Sequence, residues 1–162
     1  MTVATKTSSL ITLSHFCAHI KNCLNNALAK TAVPYNRTNL QAALQLYNQG
    51  FISGIQRGST FGPDQVETEV THENISSRRI WIDLKYRQNQ SVINQMKMVS
   101  VPSKKVELSA EDVRNLAAGV KVRRVDPIQP AECLFIENEG QLYELKDAAK
   151  KGLGGKALFR IR

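Results

Sequence analysis

The sequence predicts an α+β protein: a small α/β N-terminal domain over residues 1–90, followed by a mainly β C-terminal domain with short helices over residues 91–162. Three observations carry this prediction. Apolar residues recur at three-four spacing through Leu13, Phe16, Cys17, Ile20, Leu24, Ala27 and Leu28, the pattern of an amphipathic helix. Period-two alternation marks strands from Arg79 to Arg87 and from Lys156 to Arg162. The order helix-strand-helix-strand-strand then closes one unit near Gln90, and a second series of short elements begins near Ser91.

Met1 to Thr7 is polar and reads as a frayed start, with the first helix from Ser9 to Lys30 and Asn22, Asn25 and Asn26 on its polar side. Thr31 to Val33 reads as a strand entering Pro34. Asn36, Arg37 and Asn39 lead into a second helix, Leu40 to Asn48, closed by Gly50. Phe51 to Arg57 reads as a strand. In the next one Ile80, Ile82, Leu84 and Tyr86 share one face, and Arg79, Trp81, Asp83, Lys85 and Arg87 the other. The polar Gly58 to Ser77 segment between them reads as a surface loop or extended hairpin connection.

In the second half, Met98 to Pro102 and Lys104 to Leu108 are short extended pieces. Ser109, three residues before Asp112, is a capping signature that opens a helix Ala110 to Ala118, stopped by Gly119. Val120 to Val125 reads as a strand and Asp126 to Pro130 as a breaker-rich loop. Glu132 to Ile136, a polar turn Glu137 to Gly140, and Gln141 to Tyr143 make a hairpin. Glu144 to Lys151 carries acids first and lysines last, as a helix dipole prefers, and Gly152 stops it. After Leu153-Gly154-Gly155 the closing strand alternates Ala157, Phe159 and Ile161 with Lys156, Leu158, Arg160 and Arg162. A glycine turn between a cationic helix and a cationic strand lets the backbone of a polyanion come close.

The 162-residue chain is 42% hydrophobic, ample for a core, and its formal charge of +8 points outward to nucleic acid or an anionic surface. No apolar run approaches the ~20 residues of a membrane span. Three sparse cysteines, Cys17, Cys23 and Cys133, fit a reducing interior better than a disulfide scaffold. The first acidic residue is Asp64, preceded by five cations and many Ser and Thr; such a start resembles a mitochondrial targeting segment, and equally suits a surface facing RNA.

Catalytic, metal and nucleotide chemistry find little support. His15, His19 and Cys23 follow one another at four-residue steps, but structural zinc needs four ligands, and only the distant Cys133 or His72 could complete a set. Gly152 to Lys156 lacks a phosphate loop's residues, since Lys150 and Ala157 stand where glycine and Ser or Thr are required. It also lies helix-first rather than strand-first. No nucleophile elbow appears, and none of the histidines has a neighbouring nucleophile in an apolar setting. No cofactor, catalytic residue, small-molecule substrate or membrane partner is expected.

Basic features fare better. Asn36, Arg37 and Asn39 sit at a helix start, where free backbone N–H groups favour an anion. Lys104-Lys105 and Arg123-Arg124 add charge on extended segments, and Arg79, Lys85 and Arg87 share a strand face that is either an RNA surface or a plain solvated edge. Aromatics are 6% and form no stacking platform, so shape and backbone recognition of folded RNA suits the chain better than single-strand readout.

These residues together resemble the universal small-subunit ribosomal protein eight family over nearly the whole chain. The strongest correspondence is Lys151-Gly152-Leu153-Gly154-Gly155 before the closing strand. Pro34 through Ile52, Leu84-Lys85-Tyr86, and Ser100, Pro102, Lys105 and Val106 with Ala118-Gly119 follow at family spacing. The resemblance implies the two domains packed side by side and a non-catalytic role. That role is binding the central domain of small-subunit ribosomal RNA, helping the platform assemble, and adjoining other small-subunit proteins. It places RNA contacts at Asn36 and Arg37, at Ser100 to Lys105 (Lys104 and Lys105 among them), at Asn138 and Gly140 in the turn, and at Lys151, Gly152, Gly154, Gly155 and Lys156; Asn39 joins them from the helix-start argument. Two departures stand out. The family's turn usually reads Ser-Thr-Ser before a basic residue and glycine, where this chain has Ile136-Glu137-Asn138-Glu139 before Gly140, and Lys156 replaces a usual glutamate. Carboxylates there would repel phosphate, with Lys156 restoring positive charge. This drift, with the acid-free start, favours a fungal mitochondrial form located in the matrix. A free-standing regulatory RNA-binding module is the competing reading, and an enzyme the third class.

Overall fold

The structure, a computed structural model, describes residues 3–162, with side chains from Ser9 onward. It divides into two compact units, residues 15–93 and residues 94–162; the beginning of the first helix, through Ser14, groups with the latter.

Helix α1 spans Val3–Asn25, so it starts before Ser9 and takes in most of the expected frayed segment, of which Met1 and Thr2 lie outside the described residues. It also ends earlier than Lys30. Ala27 adopts a left-handed conformation (φ 53°), and Ala27 and Leu28 close the helix through N–H bonds to the Leu24 and Cys23 carbonyls. No glycine marks this stop, which is why the pattern overran it; Leu28 is left 46% exposed. Phe16, Cys17, Ile20 and Leu24 are buried as the spacing requires, and Cys23 is buried beside them.

The rest of this unit is β1 (Lys30–Pro34), α2 (Arg37–Asn48), β2 (Ile52–Gly58), β3 (Arg79–Leu84) and a two-rung ribbon of β4 (Tyr86–Arg87) and β5 (Gln90–Ser91). β3 is the central strand of an antiparallel sheet ordered β1-β3-β2, with Ile82 opposite both Thr31 and Ile55. Its alternation is as read: Ile80, Ile82 and Leu84 are buried, while Arg79, Trp81 and Asp83 are only partly so. The expected single strand to Arg87 breaks at Lys85, whose ammonium turns to donate to the Gly50 carbonyl at 3.1 Å. α2 supplies Ala42, Ala43 and Leu46 to the core.

The C-terminal unit holds β6 (Met96–Met98), β7 (Glu107–Leu108), α3 (Ala110–Ala117), β8 (Cys133–Asn138), β9 (Gln141–Glu144), α4 (Leu145–Lys151) and β10 (Gly155–Ile161). The final strand, β10, is the hub. β6 and β7 pair with it on one side and β8 on the other, and β9 continues the sheet from β8. Phe159 of β10 stacks on Phe135 of β8 with ring centroids 4.8 Å apart, both fully buried; each side chain contributes roughly 1.5–3 kcal/mol by burial alone. Leu108, Val113, Leu116, Leu134, Ile136, Leu145 and Ala148 form the core beneath the two helices.

Two expectations are corrected here. β10 does not alternate strictly, because Leu158 forms a bulge between the Ala157–Ile136 and Phe159–Phe135 pairs. Leu158 is thereby turned inward, 3% exposed, and its carbonyl accepts from both Val99 and Ser100 N–H (2.8 and 3.3 Å). Val120 to Val125 is not a strand but a tight turn in which Val122 and Val125 exchange backbone hydrogen bonds, with Arg123 left-handed (φ 50°). Val122 and Val125 are buried as strand residues would be, while Val120 is exposed, so the apolar pattern could not separate turn from strand. The α3 capping box is present as read, Ser109 Oγ accepting from Asp112 N–H and the Asp112 carboxylate from Ser109 N–H, both at 3.1 Å.

α4 is capped by Glu144, whose Oε2 accepts from Lys146 N–H (2.8 Å) and Asp147 N–H (3.3 Å) while the side chain is buried. Burial is the main cause that holds this carboxyl above its ordinary range, against the two capping N–H bonds. A raised carboxyl pKa stabilises the fold in full below the ordinary carboxylate value, and that contribution is lost as pH rises through the folded-state value. Urea unfolding over a pH series should therefore show that Glu144→Gln flattens this loss, whereas Glu144→Ala costs about 0.5–2 kcal/mol at low pH as well, because the cap is gone. Identical pH slopes for wild type and Glu144→Gln would contradict the assignment.

Candidate nucleic-acid interface

The glycine turn and the β8–β9 hairpin meet at one end of the C-terminal sheet. The hairpin turn is tighter than the four residues expected. Glu137 and Asn138 belong to β8, opposite Leu142 and Gln141, and only Glu139 (φ 49°) and Gly140 (φ 78°) form the loop. Two successive left-handed residues make a type I′ turn, whose twist matches the strands it joins. Asn138 Nδ2 donates to the Gly154 carbonyl at 2.5 Å, tying the hairpin to the glycine turn.

α4 ends with Gly152 in the left-handed region (φ 68°), and Leu153 N–H bonds to the Ala148 carbonyl at 2.9 Å. The next two glycines are needed for another reason. A Cβ on Gly154 would lie 2.7 Å from the Leu108 carbonyl oxygen and 2.9 Å from Ala110 N; one on Gly155 would lie 2.3 Å from the Glu137 carbonyl oxygen. The close approach that the sequence suggested is thus occupied by the protein's own backbone. These glycines seat β10 between β7 and β8.

Lys156 and Glu137, the two departures from the family's pattern, prove to be cross-strand neighbours. Lys156 Nζ lies 2.9 Å from Glu137 Oε2, the side chains being 10% and 23% exposed. Each charge is spent on the other. The acid does not confront phosphate bare, and the lysine does not add a free positive charge; substitution of one side of the pair is matched by the other. Lys151 is exposed, its ammonium 4.8 Å from the centre of the Tyr143 ring.

The cations at Lys104 and Lys105 are placed differently. Both are exposed, on a turn where Val101 and Lys104 exchange backbone hydrogen bonds (3.1 and 2.9 Å). Ser100, also expected at the RNA surface, is fully buried; its Oγ accepts from Val106 N–H at 2.9 Å and closes the base of this turn. Ala157 of β10 in turn donates to the Val106 carbonyl. Ser100 therefore positions the two lysines from inside.

In the N-terminal unit, Asn36 is the N-cap of α2, its Oδ1 accepting from Asn39 N–H at 2.7 Å, and Arg37 stands exposed in the first turn. Asn39 lies inside the helix rather than before it. It is 3% exposed, with Nδ2 donating to the Pro34 carbonyl at 3.1 Å, so it fixes the β1–α2 junction. Arg79 donates to the Ser76 and Arg78 carbonyls and Lys85 to Gly50, which leaves Arg87 as the exposed cation of that face.

Sequence reasoning missed two bound arginines. Arg78 is buried and bidentate on Asp64, the pair that anchors the long loop. Arg160 is bidentate on Glu132 (2.6 Å each) and also donates to the Asp126 and Pro127 carbonyls, lining a cleft of about 270 Å³. Ion-pair partners 14 and 28 residues away leave no local signal. His19 Nε2 and Cys23 Sγ converge on Thr31 Oγ1 (2.6 and 3.2 Å), a hydrogen-bonded cluster between helix and strand. Burial pushes the Cys17 thiol up to about 12 and Cys133 to about 11, which disfavours thiolate chemistry.

Lys156→Glu should place two carboxylates side by side and cost about 3 kcal/mol of stability, and adding Glu137→Lys should restore most of it. Urea unfolding of the two single variants and the double gives the coupling. Additive losses would mean the pair is incidental.

Comparison with known proteins agrees with this architecture. The family model described as Ribosomal protein S8 matches residues 12–126. The chain is 35% identical over 150 residues to the small ribosomal subunit protein uS8m of Schizosaccharomyces pombe, covering 93% of this chain and 99% of that protein. It is 32% identical over 156 residues to the Neurospora crassa protein of the same name, covering 93% and 97%. On its sequence and its mixed α+β fold, the chain belongs to the ribosomal protein S8 family.

Proposed function

We propose that this protein is a structural constituent of the small subunit of the mitochondrial ribosome, where it binds the central domain of small-subunit ribosomal RNA and supports platform assembly and translation. The observation that carries the proposal is relatedness to fungal uS8m proteins across almost the full length of each chain. A non-catalytic role accords with it, and the charge pairs Lys156–Glu137 at the sheet end and Arg160–Glu132 in the cleft serve the fold.

The residues best placed to meet RNA are those that are both exposed and rigidly held. Lys104 and Lys105 ride on the turn braced by Ser100, and Arg37 stands at the start of α2, where Asn36 caps the helix. Lysine and arginine neutralise phosphates and release counterions, which supplies affinity without sequence readout. Asn138 keeps its amide oxygen beside the hairpin tip while its nitrogen holds Gly154. Gly140, Gly152, Gly154 and Gly155 act by shaping the backbone on which Lys151 and Asn138 are presented. Lys156 neutralises Glu137 and adds no phosphate contact of its own.

Sedimentation of the tagged protein tests the assignment: it should co-migrate with the mitochondrial small subunit, and absence from that particle would refute the proposal. For the interface, Lys104→Ala with Lys105→Ala should weaken RNA binding and reduce the slope of log affinity against log salt by about one to two contacts, with the urea midpoint unchanged. An unaltered slope would place these lysines away from RNA.

A further inference from the structure

The loop between β2 and β3 is out of character with the rest of the chain. Residues 58–77 contain no lysine or arginine, yet carry Asp64, Glu67, Glu69 and Glu73, the first acids of the sequence. Asp64 is spent on the buried Arg78, while Glu67, Glu69 and Glu73 are exposed. At the head of this loop Phe61 is 97% exposed, the most solvent-open large apolar side chain among the described residues, and Val66 follows at 78%. Burying a phenylalanine is strongly favourable, so holding one in water gives that stabilisation up.

Phe61 is not on a slack segment. Ser59 N–H bonds to the Gly62 carbonyl at 2.9 Å, Phe61 N–H to Ser59 Oγ at 3.3 Å, and Asp64 N–H to the Arg57 carbonyl at 2.9 Å. Trp81 Nε1 donates to the Ser59 carbonyl at 2.9 Å, and a Cβ on Gly58 would lie 2.4 Å from the Gly62 oxygen, so the turn is pressed against the sheet. The arginine pair anchors the next stretch, and Asn74 closes the far end by accepting from Thr71 N–H and donating to the Glu69 carbonyl, both at 2.9 Å. A fixed turn that offers one aromatic ring outward has the form of an interface anchor, which loses little entropy on docking.

We propose that residues 58–77 form a protein-docking surface, with Phe61 inserting into an apolar pocket ringed by lysine and arginine on a neighbouring protein of the small subunit. This rests on the ribosomal assignment above. An exposed phenylalanine could also stack on a base, but three uncompensated carboxylates on the same loop repel a phosphate backbone and attract a basic protein rim.

The test replaces Phe61 with photoreactive benzoylphenylalanine in the full chain, followed by irradiation of purified mitochondrial small subunits. Exposure of the native ring predicts no change in folding, checked by the thermal midpoint. The expected product is an RNase-resistant protein–protein adduct whose partner peptide is rich in lysine and arginine. Combining Glu67→Lys, Glu69→Lys and Glu73→Lys should lower its yield several-fold. An adduct to ribosomal RNA would overturn the proposal in favour of base stacking. No adduct in subunits that contain the protein would overturn docking and leave the ribosomal assignment standing. Absence of the protein from the subunits would overturn both.

Discussion

The C-terminal unit depends on the close seating of one strand. β10 pairs on both sides, and Gly155 at its start and Gly154 just before it are pressed against the backbone around β7 and β8, with no room for a side chain at either glycine. The turn proposed to carry Lys104 and Lys105 to RNA hangs from that strand. The Leu158 carbonyl holds the chain that enters the Lys104–Lys105 turn, Ala157 holds its exit through Val106, and Gly154 receives the Asn138 amide. The glycine-rich turn is therefore foremost a packing device, and in the proposed RNA interface it acts through the residues it places.

Charge in this fold is sorted by the same logic. Internal pairs such as Lys156–Glu137, Arg160–Glu132 and Arg78–Asp64 are held at low exposure and serve the fold, while Lys104, Lys105 and Arg37 reach solvent. A formal charge of +8 thus overstates no single patch but understates the division between structural and outward cations. The acidic 58–77 loop extends this sorting to a surface with the opposite sign, suited to a different class of neighbour.

Elements whose signals are local were legible. The Ser109–Asp112 capping box, the glycine stops after α2, α3 and α4, and the alternating burial of β3 follow from residues within a few positions of one another. Where legibility failed, a non-local or glycine-free device intervened. Ala27 ended α1 in a left-handed conformation that the sequence does not announce, and a bulge inverted Leu158 against the strand's period. The Val122–Val125 turn buried its valines like a strand. At the candidate interface, residue types were readable but their facing was not. Ser100 and Asn39 have the expected position and type, yet both turn inward, and Lys156, expected to add positive charge at the RNA surface, has its partner on a neighbouring strand.

The central claim is that Gly154 is glycine for internal packing. Urea unfolding of Gly154→Ala without RNA tests it most directly. The account predicts a loss of about 1–3 kcal/mol in the free protein, because the new methyl group meets the Leu108 carbonyl and the Ala110 amide. Unfolding identical to wild type, with RNA affinity lost, would contradict it and return the close approach to RNA.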